Sequence, residues 1–437
     1  MSRAYVVTPI CCPSRSSYLS GRYTHNHRTL QNSAEKGCAS AEWVATAEPE
    51  TYPAYLGAAG YRSGFFGKYL NAYGNTDAAP LSYVPPGWTQ WVGLRGNSVF
   101  YDYELSINGV PEKHGSDYAT DYLPDLLANR SKAWLVNELT GAPTRPVLTV
   151  VHTPSPHRPA VPAPQYADSF ALMTAPRTPS WNHVSTDKHR WLSQLSPMDA
   201  NVTAYSDHVW RRRLRSLQSV DDMVARLFTV VAAAGAMDRT VFIYTSDHGY
   251  HSGQWGVAYC KMLPYEEDVR IPMFVRLPGD SNGGGGEATV VQSPVLSIDL
   301  APTLLDLAGY SAPGMDGQSM IPQLHSANGG KAAVGRTFLI EYWPIPSGGV
   351  DTQLSVRGTD GWCTDHDVLR EDCPTLAVTV DSVNNTWACA RSIFPPAVDI
   401  LFCRFWDGTA WNPATSHRDA ATSNFIEFYD LRTDPWQ

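Results

Sequence analysis

The chain has 437 residues, 43% hydrophobic and 17% charged. That is enough apolar material for a sizeable core and too little charge for a disordered chain. The net charge of −9 argues against a general nucleic-acid binder, since phosphate neutralisation needs surplus Lys and Arg, and no uncharged apolar run of about 18 residues marks a membrane span.

In chain order, Cys11-Cys12-Pro13-Ser14-Arg15 opens a helix, because Pro suits a first turn where its missing N–H has no partner. Thr51 to Ala59 reads as a helix closed by Gly60. Arg62 to Phe66 is a short strand leading into Gly67-Lys68, and Val147 to His152 is a β-branched run that fits a buried strand. Ser219-Val220-Asp221-Asp222 resembles a capping box with Asp in place of Glu. Val220, Met223, Val224, Leu227, Phe228 and Val231 then recur at helical spacing up to Gly235. Thr240 to Thr245 is the next buried strand, and it delivers Ser246-Asp247-His248-Gly249. Leu300 to Leu307 is a helix closed by Gly309. This alternation predicts an α/β fold with a mostly parallel central sheet covered on both faces. Ligands of such sheets sit beyond the carboxyl ends of the strands, where Asp247 falls. The pattern changes after Gly283 to Gly286 and again near Ser326 to Gly335. Residues 1–335 therefore read as a catalytic domain and 336–437 as a smaller antiparallel sheet domain.

Eight cysteines are present, and Cys363, Cys373, Cys389 and Cys403 cluster near the C-terminus. Four in so short a stretch suggest two disulfides and an oxidising compartment, with buried free thiols as the alternative. Sequons at Asn129, Asn201 and Asn384 fit a glycoprotein and also arise by chance in a chain this long. Met1 to Ile10 lacks the basic and apolar regions of a signal peptide.

The chemistry centres on Cys11. At a helix N-terminus, free N–H groups and the helix dipole favour an anion. Arg15 lies one turn on and brings a planar, permanently charged fork to the same point. The bland alternative is a buried Cys pair starting an ordinary helix. Arg211, Arg212, Arg213 and Arg215 form a basic cluster that holds an acidic polysaccharide or is a solvated helix face. His25 and His27 line a pocket or cap the region after the first helix.

Cys11-Cys12-Pro13-Ser14-Arg15 followed by Leu19-Ser20-Gly21-Arg22 resembles the signature of the sulfatase family. The resemblance runs over nearly the whole chain and is nearest the N-acetylglucosamine-6-sulfatase branch with its arylsulfatase-like relatives. Tyr23-Thr24-His25-Asn26-His27, Gly67-Lys68-Tyr69-Leu70-Asn71, Leu105-Ser106-Ile107-Asn108-Gly109, Pro156-His157, Tyr244-Thr245-Ser246-Asp247 and Ile298-Asp299-Leu300 carry it. The resemblance implies an alkaline-phosphatase-like fold and hydrolysis of sulfate monoesters. The implied substrate is the 6-sulfate of N-acetylglucosamine in sulfated glycans. A broad arylsulfatase, or an inactive binder of sulfated glycans, is the alternative.

It further implies that a formylglycine-generating enzyme oxidises Cys11 to formylglycine. One hydroxyl of the hydrated aldehyde attacks sulfur and expels the alcohol; the other then drives out sulfate. Arg15, Lys68 and Lys261 match the cations around the sulfuryl oxygens, and His157 matches the histidine that protonates the leaving alcohol. Calcium, or magnesium, is the implied metal, with Cys11, Asp247 and His248 as ligands here. His248 departs from the pattern, offering nitrogen where relatives have Asn, and hydrogen bonding to nearby carboxylates is the alternative. Two consecutive Asp residues on a strand before the signature complete the family's metal site, and none of residues 1–10 is acidic. The expectation is a truncated version of a longer protein, with an inactive relative as the alternative, weak metal binding and poor folding of the chain as written. A secreted or lysosomal location follows from the resemblance.

Overall fold

Apolar runs that alternate faces build the central sheet. The computed structural model describes the chain apart from residues 142–144, 194, 279–288, 312, 329–332, 344–384, 407–410, 413–416 and 419–424. The Gly-rich run 283–286, Cys363, Cys373 and Asn384 therefore lie outside the described residues.

A two-residue strand, β1 (Ala4–Tyr5), precedes helix α1 (Cys11–Ser20). Helix α2 (Tyr52–Ala58) leads into β2 (Arg62–Lys68). Then come β3 (Gln90–Leu94), β4 (Glu104–Ile107), β5 (Val110–Lys113), helix α3 (Leu123–Thr140) and β6 (Val147–His152). These strands form a mixed five-stranded sheet in the order β5-β4-β3-β2-β6. It is parallel at β3–β2–β6 and antiparallel towards β5. Long helix α4 (Ala200–Ala233) precedes β7 (Phe242–Thr245). Short β8 (Arg270–Ile271) is followed by β9 (Met273–Arg276), which pairs with β7. Strand β10 (Val295–Leu296) lies parallel to β1, and helix α5 (Leu300–Leu307) follows it. The C-terminal sheet is antiparallel: β11 (Arg336–Tyr342), β12 (Thr386–Phe394), β13 (Val398–Trp406) and β14 (Phe425–Asp430).

Consecutive residues of β2 face opposite layers, as the two-residue strand period requires. Phe66 joins Val92, Leu105, Leu127 and Trp134 under α3. Phe65 joins Tyr18, Leu56, Trp91 and Leu305 on the other face, its ring stacked on Trp91 at 4.6 Å between centroids. Each fully buried side chain of this size contributes about 1.5–3 kcal/mol. A third cluster joins Tyr5, Leu263, Tyr265 and Ile271 to Ile340, Trp387, Cys389 and Phe405 of the C-terminal sheet.

Two expectations change. The helix predicted from Ser219 begins 20 residues earlier, since the Asp199 side chain caps it by accepting from Val202 N at 2.9 Å. The four arginines are therefore inside α4 and not before a helix. Of the cysteine cluster, Cys389 faces Cys403 across β12–β13 and forms a disulfide. A second disulfide, Cys12–Cys38, was not foreseen and ties the signature helix to the following loop.

Candidate active site

Cys11 is the first residue of α1, and Pro13 lies within its first turn. Gly21 ends the helix in the left-handed conformation at φ +69, where a Cβ would meet Met315 Sδ at 2.9 Å. Every residue of α1 is buried, so the Cys11 thiol is held at a fixed helix tip.

Four segments converge on that thiol. Lys261 Nζ donates to Cys11 Sγ at 2.8 Å and to His248 Nε2 at 3.1 Å. His248 Nε2 is 3.5 Å from the same sulfur. Its Nδ1 donates to the Gly249 carbonyl at 2.7 Å, which fixes the tautomer and leaves Nε2 facing Lys261. His157 is oriented in the same way, its Nδ1 donating to Arg158 O at 2.6 Å, so its other nitrogen is the one that meets Cys11. Lys68, buried at the end of β2, donates to Asn97 Oδ1 at 2.7 Å. Arg15 donates through Nε to Asp247 Oδ2 at 2.9 Å and through Nη1 to Lys68 O at 2.7 Å. All seven residues singled out in the sequence thus come together.

The electrostatics follow from this crowding. Burial alone would raise the Cys11 thiol, but the charges of Lys261 and Lys68 hold it well below its usual value. Burial lowers Lys68 to about 8, partly offset by Cys11. Burial likewise lowers His157 to about 4. Asp247 resists its own burial because His248 and Arg15 keep it ionised, well below the usual carboxylate range. Three cations thus surround a single carboxylate at a buried point, an arrangement built to hold an anion.

Cys11, Asp247 and His248 present one sulfur, one carboxylate and one ring nitrogen within 4.8 Å of one another. Calcium takes six to eight oxygens, and magnesium demands an octahedron of oxygens. Here one carboxylate is offered, its Oδ2 is already engaged by Arg15, and the Lys261 ammonium contacts the other two donors. The described residues by themselves do not fit either hard cation.

Three residues that the sequence reading passed over position the site. His152, at the end of β6, has its Nδ1 3.3 Å from Arg15 Nη1, and burial lowers it to about 3, so it is neutral. Asn97 holds Lys68, and Ser14 donates to the Asp247 carbonyl. His25 and His27 do not line the site. His27 bonds Ser17 Oγ at 2.9 Å and His25 pairs with Glu341 at 2.7 Å. Arg211, Arg213 and Arg215 donate to the loop carbonyls of Met173, Pro156 and Ser169. Arg213 also lines the cavity beside Cys11.

Solved structures carry the same architecture, an alkaline-phosphatase-like fold. An enzyme solved in complex with its substrate D-glucosamine-2-N,6-O-disulfate superposes with a TM-score of 0.67 at 19% identity, covering 99% of this chain and 84% of that one. The sulfatase family profile matches residues 1–310, and the chain belongs to the sulfatase family of sulfuric ester hydrolases. It is 37% identical to the human N-acetylglucosamine-6-sulfatase over 441 residues, covering 100% of this chain and 74% of that protein. It is also 44% identical to the extracellular sulfatase SULF-1 homolog of Drosophila melanogaster over 327 residues, covering 74% of this chain. The chain spans only 28% of the length of that relative.

Proposed function

We propose that this chain hydrolyses sulfate monoesters of glycans, with the 6-sulfate of N-acetylglucosamine as its substrate group. The observation that carries the reading is the Cys11 sulfur on a buried helix tip, touched by Lys261 and drawn below its usual pKa by Lys261 and Lys68. Similarity to the human N-acetylglucosamine-6-sulfatase along the whole of this chain supports the substrate class.

Cys11 is the residue converted to formylglycine, by a formylglycine-generating enzyme, and when made that group supplies an oxygen nucleophile. The surrounding side chains do the rest. Lys261, Lys68 and Arg15 bind the sulfuryl oxygens and stabilise the charge that grows on them. Asp247 orients Arg15 through its Nε. His157, whose ring is fixed through Nδ1, hands a proton to the leaving alcohol oxygen. It is neutral in the empty site, and a bound anionic ester raises its pKa by favouring the charged ring.

A secreted or lysosomal location is supported by the Cys12–Cys38 and Cys389–Cys403 disulfides. Among the described residues, no helix is long and apolar enough to cross a membrane. Among the described residues the shortage of oxygen ligands beside Cys11 favours, as a second reading, a binder of sulfated glycans that does not turn them over.

The deciding experiment measures sulfate release from N-acetylglucosamine 6-sulfate and from an aryl sulfate, with mass spectrometry of the Cys11 peptide. Release from the sugar ester together with an aldehyde mass is expected. Binding of the sugar ester without release, on protein that carries the aldehyde, would replace this reading with the binder.

A further inference from the structure

His248 and Lys261, which both touch the Cys11 sulfur, are the two ends of one loop. Its neck is a single antiparallel bridge, with His251 N donating to Cys260 O at 3.0 Å and Cys260 N to His251 O at 3.3 Å. Its tip is closed by Gly253 N donating to Val257 O at 2.9 Å. Trp255 sits at that tip with φ +58. Such a conformation is costly for a bulky residue and persists only where the surroundings impose it. The indole is buried, and its Nε1–H finds no acceptor among the described residues.

The segment leading to α4 supplies the constraint. Trp255 N donates to Ser180 O at 2.9 Å, Asn182 N to Gly253 O at 2.7 Å and Trp181 Nε1 to Ser252 O at 3.1 Å. Further along that segment, Lys188 Nζ lies 4.0 Å from the centre of the Trp255 ring, 4.4 Å from that of Tyr265 and 4.3 Å from that of Tyr429. Three aromatic faces around one ammonium make a cage of the kind that recognises cations. Nζ also donates to Tyr429 Oη and to Gln437 O, with Glu427 at 4.0 Å. The next residue, His189, stacks on Phe405 at 4.0 Å and donates from its backbone to Glu427 at 2.9 Å, which ties the segment to the C-terminal sheet. Lys188 is 3% exposed. Burial lowers it to about 8, against the pull of Glu427, Asp187, Asp434 and Glu267. An apolar side chain would fill this space without the cost of burying a charge, so what the lysine adds is its attraction to the rings.

We propose that Lys188 is a positioning residue for the sulfate-ester reaction. Its ammonium, held among Trp255, Tyr265 and Tyr429, clamps the tip of the 248–261 loop to the C-terminal sheet and so keeps His248 and Lys261 at position 11. Without the ammonium, Trp255 is released from its left-handed conformation, and the tip swings about a neck of two hydrogen bonds. A small shift at Lys261 then costs transition-state stabilisation more than it costs substrate binding. The effect on turnover rests on the sulfate-ester reading above; the clamp on the loop does not.

The test compares the matured full chain with Lys188→Ala and Lys188→Met. It measures kcat and KM on N-acetylglucosamine 6-sulfate and on an aryl sulfate, and amide hydrogen exchange over residues 251–260. Lys188→Ala should lower kcat by about tenfold on both esters, with KM nearly unchanged. Exchange at His251, Gly253, Trp255 and Cys260 should quicken by about tenfold or more, while that of β2 stays as in the parent. n-Propylammonium replaces the deleted part of the side chain with its charge, and it should restore both readouts in a saturable way; 1-propanol, of similar size and uncharged, should restore neither. Lys188→Met keeps most of the volume and loses the charge. It should show the same defects without rescue, and it carries the test where the Ala variant does not fold. A lower melting temperature with kcat per folded molecule unchanged, equal rescue by propanol, or parent-like exchange in the loop would each overturn the proposal. If the parent itself releases no sulfate, the sulfate-ester reading fails, and loop exchange with amine rescue still decides the clamp.

Discussion

Lys261 holds two partners at once, the Cys11 sulfur and the His248 ring. Its flexible stem ends in a compact charge, so its position depends on those partners and on the loop beneath it. Replacing it with Met keeps most of the length and removes the charge. Lys261→Met should lower kcat/KM for a sulfate ester by about 10²–10³, the usual cost of losing one stabilising group at a developing charge. A melting temperature near that of the parent would show that the loss is chemical. A second residue-scale prediction concerns Glu427, which accepts from Tyr429 at 2.7 Å, Tyr265 at 2.9 Å and His189 N at 2.9 Å. Burial would raise this carboxylate, but His189 and Lys188 bring it down to about 2 from 4.5. A depressed folded-state pKa gives stability that is complete above the unfolded value and lost as pH falls through the folded one. The protein should therefore lose stability between about pH 4.5 and about pH 2. Glu427→Gln should flatten that part of the urea-midpoint profile and lower the neutral-pH stability by about 3 kcal/mol, as for breaking a buried pair. At this scale the sequence was informative where chemistry is concentrated. Cys11, Arg15 and Asp247 stand in motifs, whereas His152 and Asn97 are single polar residues in ordinary surroundings and become visible only when strands bring them beside Arg15 and Lys68.

Elements place these groups through a few strict contacts. Gly67 has φ +112, and a Cβ there would stand 2.1 Å from His152 O. Only glycine lets β2 and β6 approach closely enough for Lys68 and His152 to share one site. Gly67→Ala should destabilise the chain by about 3 kcal/mol, since strained backbone and a clash with main chain coincide, and thermal melting will measure it. The Lys261 loop is fixed from the other side of the molecule. Met262 carries φ +85, and its carbonyl accepts from Trp387 Nε1 at 3.0 Å and Asn385 Nδ2 at 3.1 Å. Trp387 is thus a positioning residue. Trp387→Phe should lower kcat by about tenfold, with KM changing less, because misplacement by a fraction of an ångström matters most in the transition state. A merely structural role would lower the melting temperature and leave kcat per folded molecule unchanged. β6 was legible as an apolar, β-branched run, β7 as a second buried strand, and β2 as a short strand leading into Gly67-Lys68. The start of α4 was not, because four arginines interrupt its apolar period and the Ser219 pattern imitates a cap within the helix. The true cap, Asp199, was readable only from Val202, Tyr205 and Val209 continuing the spacing upstream.

The molecule as a whole is tied together around the site. One apolar cluster runs from β1 through the Lys261 loop into the C-terminal sheet, so the residues that flank Cys11 and those that brace Lys261 share a core. The Cys12–Cys38 disulfide anchors the helix that carries Cys11, one residue from the sulfur. Alternating helices and strands announced the layered architecture, and the cysteine cluster suggested two disulfides, of which Cys389–Cys403 lies among the described residues. The central claim is that the sulfur at the tip of α1 is the precursor of a sulfate-transferring group. It is tested most directly by the rate of inorganic sulfate release from N-acetylglucosamine 6-sulfate, comparing the protein matured to the aldehyde at position 11 with its Cys11→Ala variant. Steady release by the first and none by the second is predicted; equal rates, or no release by protein shown to carry the aldehyde, would contradict it.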